Sequence, residues 1–199
     1  MPRTVDHVER RESVARAARA VIARDGLDGA SVRRVADELG SSTTAVTHYF
    51  SSREELMAAA IGDAYRAAAE RMAARADATA GSPLATLAAT LEETLPLDAE
   101  RRDEARIWLA FWAGAAVSDR LREVQRAGYA TWRDLVARLL REATRAGELR
   151  AGVDPRREGE RLLLLVDGLT LQATLEPERL PPRRQRALLR GELERLRRR

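Results

Sequence analysis

The sequence contains no cysteine, which excludes a disulfide framework and thiolate metal sites. Lysine and asparagine are also missing. All 35 basic residues are arginine, a bias that reads as genomic composition rather than a guanidinium selected at every site. Glycine (12) and proline (7) are sparse in 199 residues dominated by alanine, leucine and arginine, and that mixture favours helix. No apolar run approaches the roughly 18 residues of a membrane span, so no membrane partner is expected. The opening stretch MPRTVDHVERRES is charged and lacks the apolar centre of a secretory signal. The expectation is a bacterial-type cytoplasmic protein. With two histidines, no nucleophile–base arrangement and no phosphate loop, neither an enzyme nor a cofactor is expected.

Hydrophobic residues make up 45% and charged residues 33%, ordinary for a globular chain long enough for one domain or two small ones. The net charge of +4 is misplaced for a simple nucleic-acid face. Residues 1–55 hold nine arginines against nine acids, whereas residues 183–199 hold eight against two. The basic balance therefore reports the C-terminal tail.

Periodicity and caps predict an all-α chain. The first helix is expected over about 8–24, preceded by a flexible arm that holds His7, and the glycines of DGLDGA end it. Ser31 caps a short second helix, VRRVADEL, stopped by Gly40. Ser41 and Ser42 offer the cap of a third, TTAVTHYF. SSREEL reads as a capping box of Ser52 and Glu55, opening a fourth helix over 52–77. The composition break ATAGSP (78–83) suggests a boundary between a domain over 1–55, connected by the fourth helix, and a helical domain over 78–199. Further helices are expected at about 83–95, 99–116, 119–146, 155–175 and 183–197, without strands or repeats.

Two short helices joined by a glycine turn and braced by a longer one match a helix-turn-helix unit. Val35, Ala36, Leu39 and Val46 would pack the pair, projecting Thr43, Thr44, Thr47 and His48 outward, where hydroxyls suit phosphate oxygens and base edges. Ser31, Ser42 and Arg53 sit at or beside helix N-termini, which attract phosphate. Phe50 reads as core, and Tyr49 as a packed ring with its hydroxyl out.

The string SVRRVADELGSSTTAVTHYFSSREEL (31–56) resembles the TetR family of bacterial transcriptional repressors. It carries the hydroxyl opening the second helix, the spacing of Ala36 and Gly40, the His-Tyr-Phe cluster and the Ser-basic-Glu start of the fourth helix. WLAFW (108–112) and residues 154–189 are similar to BetI-type members. The resemblance implies a homodimeric repressor with a palindromic DNA operator and a small-molecule effector that releases it. By position, Arg33, Thr43, Thr44 and Thr47 would face base edges, and Ser31, His48, Tyr49 and Arg53 would hold phosphates. The family usually has an aromatic where Thr47 stands and a Lys-Gly or similar pair at Thr43-Thr44, so the bases read here cannot be borrowed from a relative. Activation instead of repression, and a helical adaptor that binds protein instead of DNA, remain open alternatives.

Five of the eight aromatic residues lie within 108–132. Trp108, Phe111 and Trp112 share one helical face, and Tyr129 and Trp132 are three apart. Such a stripe builds a packed core or lines a ligand cavity, and Thr131 and Thr170 could orient a guest. BetI-like members suggest a choline-type cation held by aromatic faces. The segment LLLLVDGLTLQATL (162–175) is apolar nearly all round, as expected of a helix touching both its own bundle and a partner. Leu165 and Leu169 there, with Leu189, Leu193 and Leu196 of the last helix, are the expected dimer seam.

Overall fold

The computed structural model describes residues 3–78 and 81–198. Among them are nine helices: α1 (Arg3–Gly29), α2 (Val32–Glu38), α3 (Thr43–Tyr49), α4 (Arg53–Ala78), α5 (Pro83–Glu92), α6 (Ala99–Val117), α7 (Asp119–Arg145), α8 (Pro155–Leu175) and α9 (Pro182–Leu196). The all-α expectation holds, and most predicted boundaries agree within three residues. One larger difference is at the N-terminus. Nothing in RTVDHVER breaks a helix, so α1 begins at Arg3 and includes His7. Gly26, at φ 72°, kinks its last turns.

Packing divides the chain into two units that are not contiguous in sequence. One comprises residues up to 67 with Arg106–Ala127, and the other comprises residues 68–105 with those from 128 onward. The composition break at 78–83 thus ends α4 without separating the units, because α4, α6 and α7 each contribute to both.

The first unit has its own core. Val14, Ala18, Val21 and Ile22 of α1 join Val35 and Ala36 of α2, Val46 of α3, Phe50, and Leu56, Ala60 and Ile61 of α4. Ile107, Phe111 and Ala115 of α6 and Leu121 of α7 complete it. Burying each large aliphatic or aromatic side chain contributes about 1.5–3 kcal/mol. The α6–α7 turn is fixed by Ser118, which caps α7 through Leu121 N at 3.3 Å and donates its hydroxyl to Glu54.

In the second unit, Leu84, Leu87, Leu91 and Leu95 pack with Val136, Leu139 and Leu140 of α7, Leu162, Leu163, Val166 and Leu169 of α8, and Leu189, Leu193 and Leu196 of α9. Asp154 caps α8 by accepting from Arg156 N (2.9 Å) and Arg157 N (3.4 Å). The α7–α8 connection is tied to the segment after α9 by a single antiparallel bridge, Leu149 with Arg197. Glu93, almost buried, takes Arg75 at 2.7 Å and Arg101 at 3.3 Å, since a buried carboxylate needs such partners.

This packing corrects the expected dimer seam. Leu169, Leu189, Leu193 and Leu196 are buried in the core of their own unit, and Leu165 packs against the same core. The four buried leucines answer the second unit's need for a core, whereas Leu165 stays partly exposed. The exposed apolar residues of these helices are instead Leu164 (72% exposed), Leu171, Leu175 (68%) and Leu188.

Candidate nucleic-acid interface

The site is built around the turn between α2 and α3. Ser31 opens α2, its Oγ accepting from Arg34 N at 3.3 Å. The helix closes with a paired C-terminal motif: Ser41 N donates to Ala36 O at 2.9 Å and Gly40 N to Asp37 O at 3.1 Å. That motif needs a left-handed residue between cap and turn, and Gly40 supplies it at φ 60°. Ser42 then caps α3 by accepting from Ala45 N at 3.2 Å.

Within α3 the faces are sharply divided. Val46 is fully buried, and Phe50 follows it into the core. Thr43, Thr44, Thr47 and His48 are exposed, while Tyr49 is half-buried. Thr47 Oγ1 donates to Thr44 O at 3.2 Å, so it presents acceptor lone pairs and a methyl group outward. On α2, Arg33 is exposed. Its neighbour Arg34 is engaged by Asp25 at 2.7 Å, and Arg24 bonds Glu38 at 2.9 Å. Of these three arginines, Arg33 is the one whose side chain suits an external contact.

Sequence reasoning missed the residue that holds α3 in place. Arg11 of α1 donates to Tyr49 O at 2.6 Å and to Glu55 Oε1 at 2.9 Å, and its guanidinium lies 4.3 Å over the Phe50 ring. Its partners are 38 and 44 residues away, so no local spacing signals them. Glu55 also accepts at Oε2 from Ser51 N (2.9 Å) and Ser51 Oγ (2.8 Å). The expected capping box therefore forms in altered register. Ser52 Oγ accepts from Glu55 N at 3.1 Å, but the carboxylate reaches back to Ser51 rather than to the cap itself. Arg11 first, then the two Ser51 donors, hold the Glu55 carboxyl down at about 2.

Arg53, expected at a phosphate, has a second task. Its guanidinium donates to Ala30 O (3.3 Å) and Leu27 O, fastening the start of α4 to the α1–α2 connection. His7, placed by sequence in a flexible arm, instead sits against this site. Its ring is 4.8 Å from Tyr49 and 6.1 Å from His48, and His48 is 5.0 Å from Tyr49.

The aromatic residues expected around an effector fall into different units. Phe111 is fully buried in the first core, where Trp108 packs against Tyr65 at 4.7 Å and Phe111 at 6.2 Å. Trp112, also of the first unit, is half-buried, and its indole N–H has no acceptor among the described residues. In the second unit, Trp132 packs against the core and Thr170 is buried, donating to Thr94 O at 3.4 Å. Thr131 is exposed rather than facing the bundle. Tyr129 donates its hydroxyl to Asp167 at 2.9 Å. Burial pushes the Asp167 carboxyl above its ordinary range, and the Tyr129 bond only partly offsets this. Among the described residues no arginine pairs with it.

Residues 15–60 match the family of bacterial regulatory proteins named tetR, and residues 83–198 match the BetI-type transcriptional repressor C-terminal family. The chain belongs to the TetR family. Among relatives, it is 34% identical to the HTH-type transcriptional regulator PksA of Bacillus subtilis, over 90% of this chain and 86% of that one. It is 30% identical to the regulator BetI 2 of Chromohalobacter salexigens, covering 98% and 92%. A solved transcriptional regulator from Saccharomonospora viridis, in complex with choline, superposes with a TM-score of 0.87 at 25% identity, covering 96% and 100%.

As a TetR-family protein, this chain is a DNA-binding transcriptional regulator rather than an enzyme, and the adaptor alternative is not favoured. Among the described residues, no helix is long and apolar enough to cross a membrane.

The Arg11–Glu55 pair gives the helix-turn-helix unit an acid sensitivity of definite sign. Because the folded-state value of Glu55 is depressed from 4.5 to about 2, its stabilisation is complete above pH 4.5 and is lost as pH falls towards 2. Glu55→Gln is expected to remove that part of the acid dependence in thermal unfolding followed from pH 6 to 2. Arg11→Ala should cost about 1–2 kcal/mol at neutral pH.

Proposed function

We propose that this protein is a homodimeric repressor of the bacterial cytoplasm that holds a palindromic operator through α3 and releases it on binding a small organic cation. The exposed hydroxyl face of α3 carries this reading, because Val46 and Phe50 fix the opposite face in the core. In the major groove Thr43, Thr44, Thr47 and Arg33 would meet base edges. With its hydroxyl hydrogen on Thr44 O, Thr47 is suited to a base amino group or a thymine methyl. Ser31, Ser42, His48, Tyr49 and Arg53 would meet phosphates, which position the protein without specifying sequence.

Binding to duplexes from the protein's own promoter region, measured at one salt concentration, tests this. Thr47→Ala should relax base preference at one position by about 0.5–1.5 kcal/mol. Arg53→Ala should weaken all sequences alike and reduce the salt slope by about one, while also loosening the α1–α2 connection. Absence of sequence-selective binding to any duplex would reject the reading.

Dimerisation through α8 and α9 is supported by the exposed leucines. Leu164, Leu171 and Leu175 are separated by seven and four residues, so they lie along one face of α8, with Gly168 between them and exposed Leu188 on α9. Two copies of that face would bury it by two-fold symmetry and pair the recognition helices for two half-sites. Leu171→Glu should shift the protein to monomer in sedimentation analysis, whereas Leu188→Ala should weaken the dimer only mildly.

Asp167 supports a cationic effector. A largely buried carboxylate, bonded by Tyr129 and with no arginine on it among the described residues, fits a ligand that brings its own positive charge. Tyr129 and Trp132, one helical turn apart, offer aromatic faces to a quaternary ammonium. The choline bound to the Saccharomonospora regulator is of this class. Choline is expected to quench or shift the tryptophan fluorescence and to release DNA. Asp167→Asn should abolish both responses while leaving DNA binding intact; an unchanged choline response in that variant would remove Asp167 from the site.

A further inference from the structure

We infer that His7 of α1 and His48 of α3 act together as a two-imidazole clamp on one DNA phosphate, so that the affinity for DNA backbone rises as pH falls. The inference rests on the DNA-binding reading of α3 and adds to it a residue from a different helix. Both imidazoles are exposed, and their ring centres stand 6.1 Å apart with Tyr49 against each, at 4.8 and 5.0 Å. At that separation a single phosphodiester seated across the pair, beside the line joining the rings, is within reach of one N–H from each at an ordinary hydrogen-bond distance of roughly 2.8 Å.

The frame under the pair is fixed. Arg11 lies one turn beyond His7 on the same face of α1, and its bond to Tyr49 O sets how α1 meets the end of α3. From α1 there is Arg11, already engaged by Tyr49 O and Glu55. From α4 there is Glu55, satisfied by Arg11 and Ser51. Glu12 turns to Arg16 and Arg66. Among the described side chains no carboxylate bonds either imidazole, so an external anion is the available acceptor.

Protonation strengthens each contact, because a charge-assisted hydrogen bond is about twice as strong as a neutral one. Two imidazolium rings this close would repel each other in the unbound protein, and a phosphate bridging them relieves the repulsion. DNA binding therefore takes up protons, and by linkage affinity increases as pH drops through the imidazole range. A phosphate contact of this kind is independent of base sequence.

The full-length protein, titrated with a labelled random-sequence duplex at fixed salt from about pH 5.5 to about 8, provides the test. Wild type should bind several-fold more tightly at the acid end. His7→Gln should lower affinity mainly there, flatten the pH profile and reduce the low-pH salt slope by about one. His7→Arg, which keeps a positive charge at every pH, should stay tighter than wild type at the alkaline end and keep only the part of the pH dependence that His48 supplies. The double variant His7→Gln/His48→Gln should lose little more than either single one, since both hold the same phosphate. A wild-type pH profile in His7→Gln would overturn the clamp while leaving the regulator reading standing. Failure of the wild-type protein to bind any DNA would overturn both.

Discussion

The recognition surface depends on Arg11. A seven-residue helix such as α3 cannot persist in water by propensity alone, because nucleation costs more than two turns return. It must be held at both ends. Ser42 Oγ caps its start by accepting from Ala45 N, and Val46 and Phe50 anchor its inner face. Its C-terminal end rests on Arg11, which bonds the Tyr49 carbonyl, covers the Phe50 ring and reaches Glu55 at the start of the next helix. One guanidinium thereby joins α1, α3 and α4, and its planar fork suits several acceptors at once. The hydroxyls of Thr43, Thr44 and Thr47 are aimed only as accurately as this junction is fixed.

The arginine-only composition obscures which basic groups matter. Arg34 and Arg24 neutralise Asp25 and Glu38 on the α1–α2 side, Arg19 and Arg66 surround nearly buried Asp63, and Arg75 and Arg101 serve Glu93. These internal tasks explain why net charge is a poor guide to nucleic-acid contact here. Even Arg53, at a helix start suited to phosphate, also bonds the carbonyls of Leu27 and Ala30.

Much of the helix order was legible in the sequence because capping residues and glycines act locally. Ser31, Gly40, Ser42 and Asp154 stand where their short-range bonds require them. What was illegible is long-range. Arg11 is one of 35 arginines, and nothing near it announces Tyr49 or Glu55. In α8, leucine occupies four consecutive positions from 162 to 165, so periodicity cannot say which side meets the core. Leu162 and Leu163 are buried, whereas Leu164 is exposed. The aromatic stripe was similarly ambiguous, since the spacing of Trp108 and Phe111 marks a helical face without saying which core receives it. Packed core and cavity lining were both open from spacing alone, and Trp108 and Phe111 pack in the first unit.

Small hydroxyl side chains impose a consequence on recognition. A neutral hydrogen bond contributes about 0.5–1.5 kcal/mol net, so on the proposed reading three threonines would supply only modest discrimination in one half-site. Contacts to phosphate can supply affinity but not sequence preference. Selectivity in such a protein must come from geometry: two half-sites read together at a fixed spacing multiply their separate preferences. An effector that altered the spacing or its population would then cancel selective binding without touching any threonine. On the proposed reading, weak direct readout and ligand control would follow from the same constraint, because a protein that held each half-site tightly on its own would be difficult for a small ligand to release.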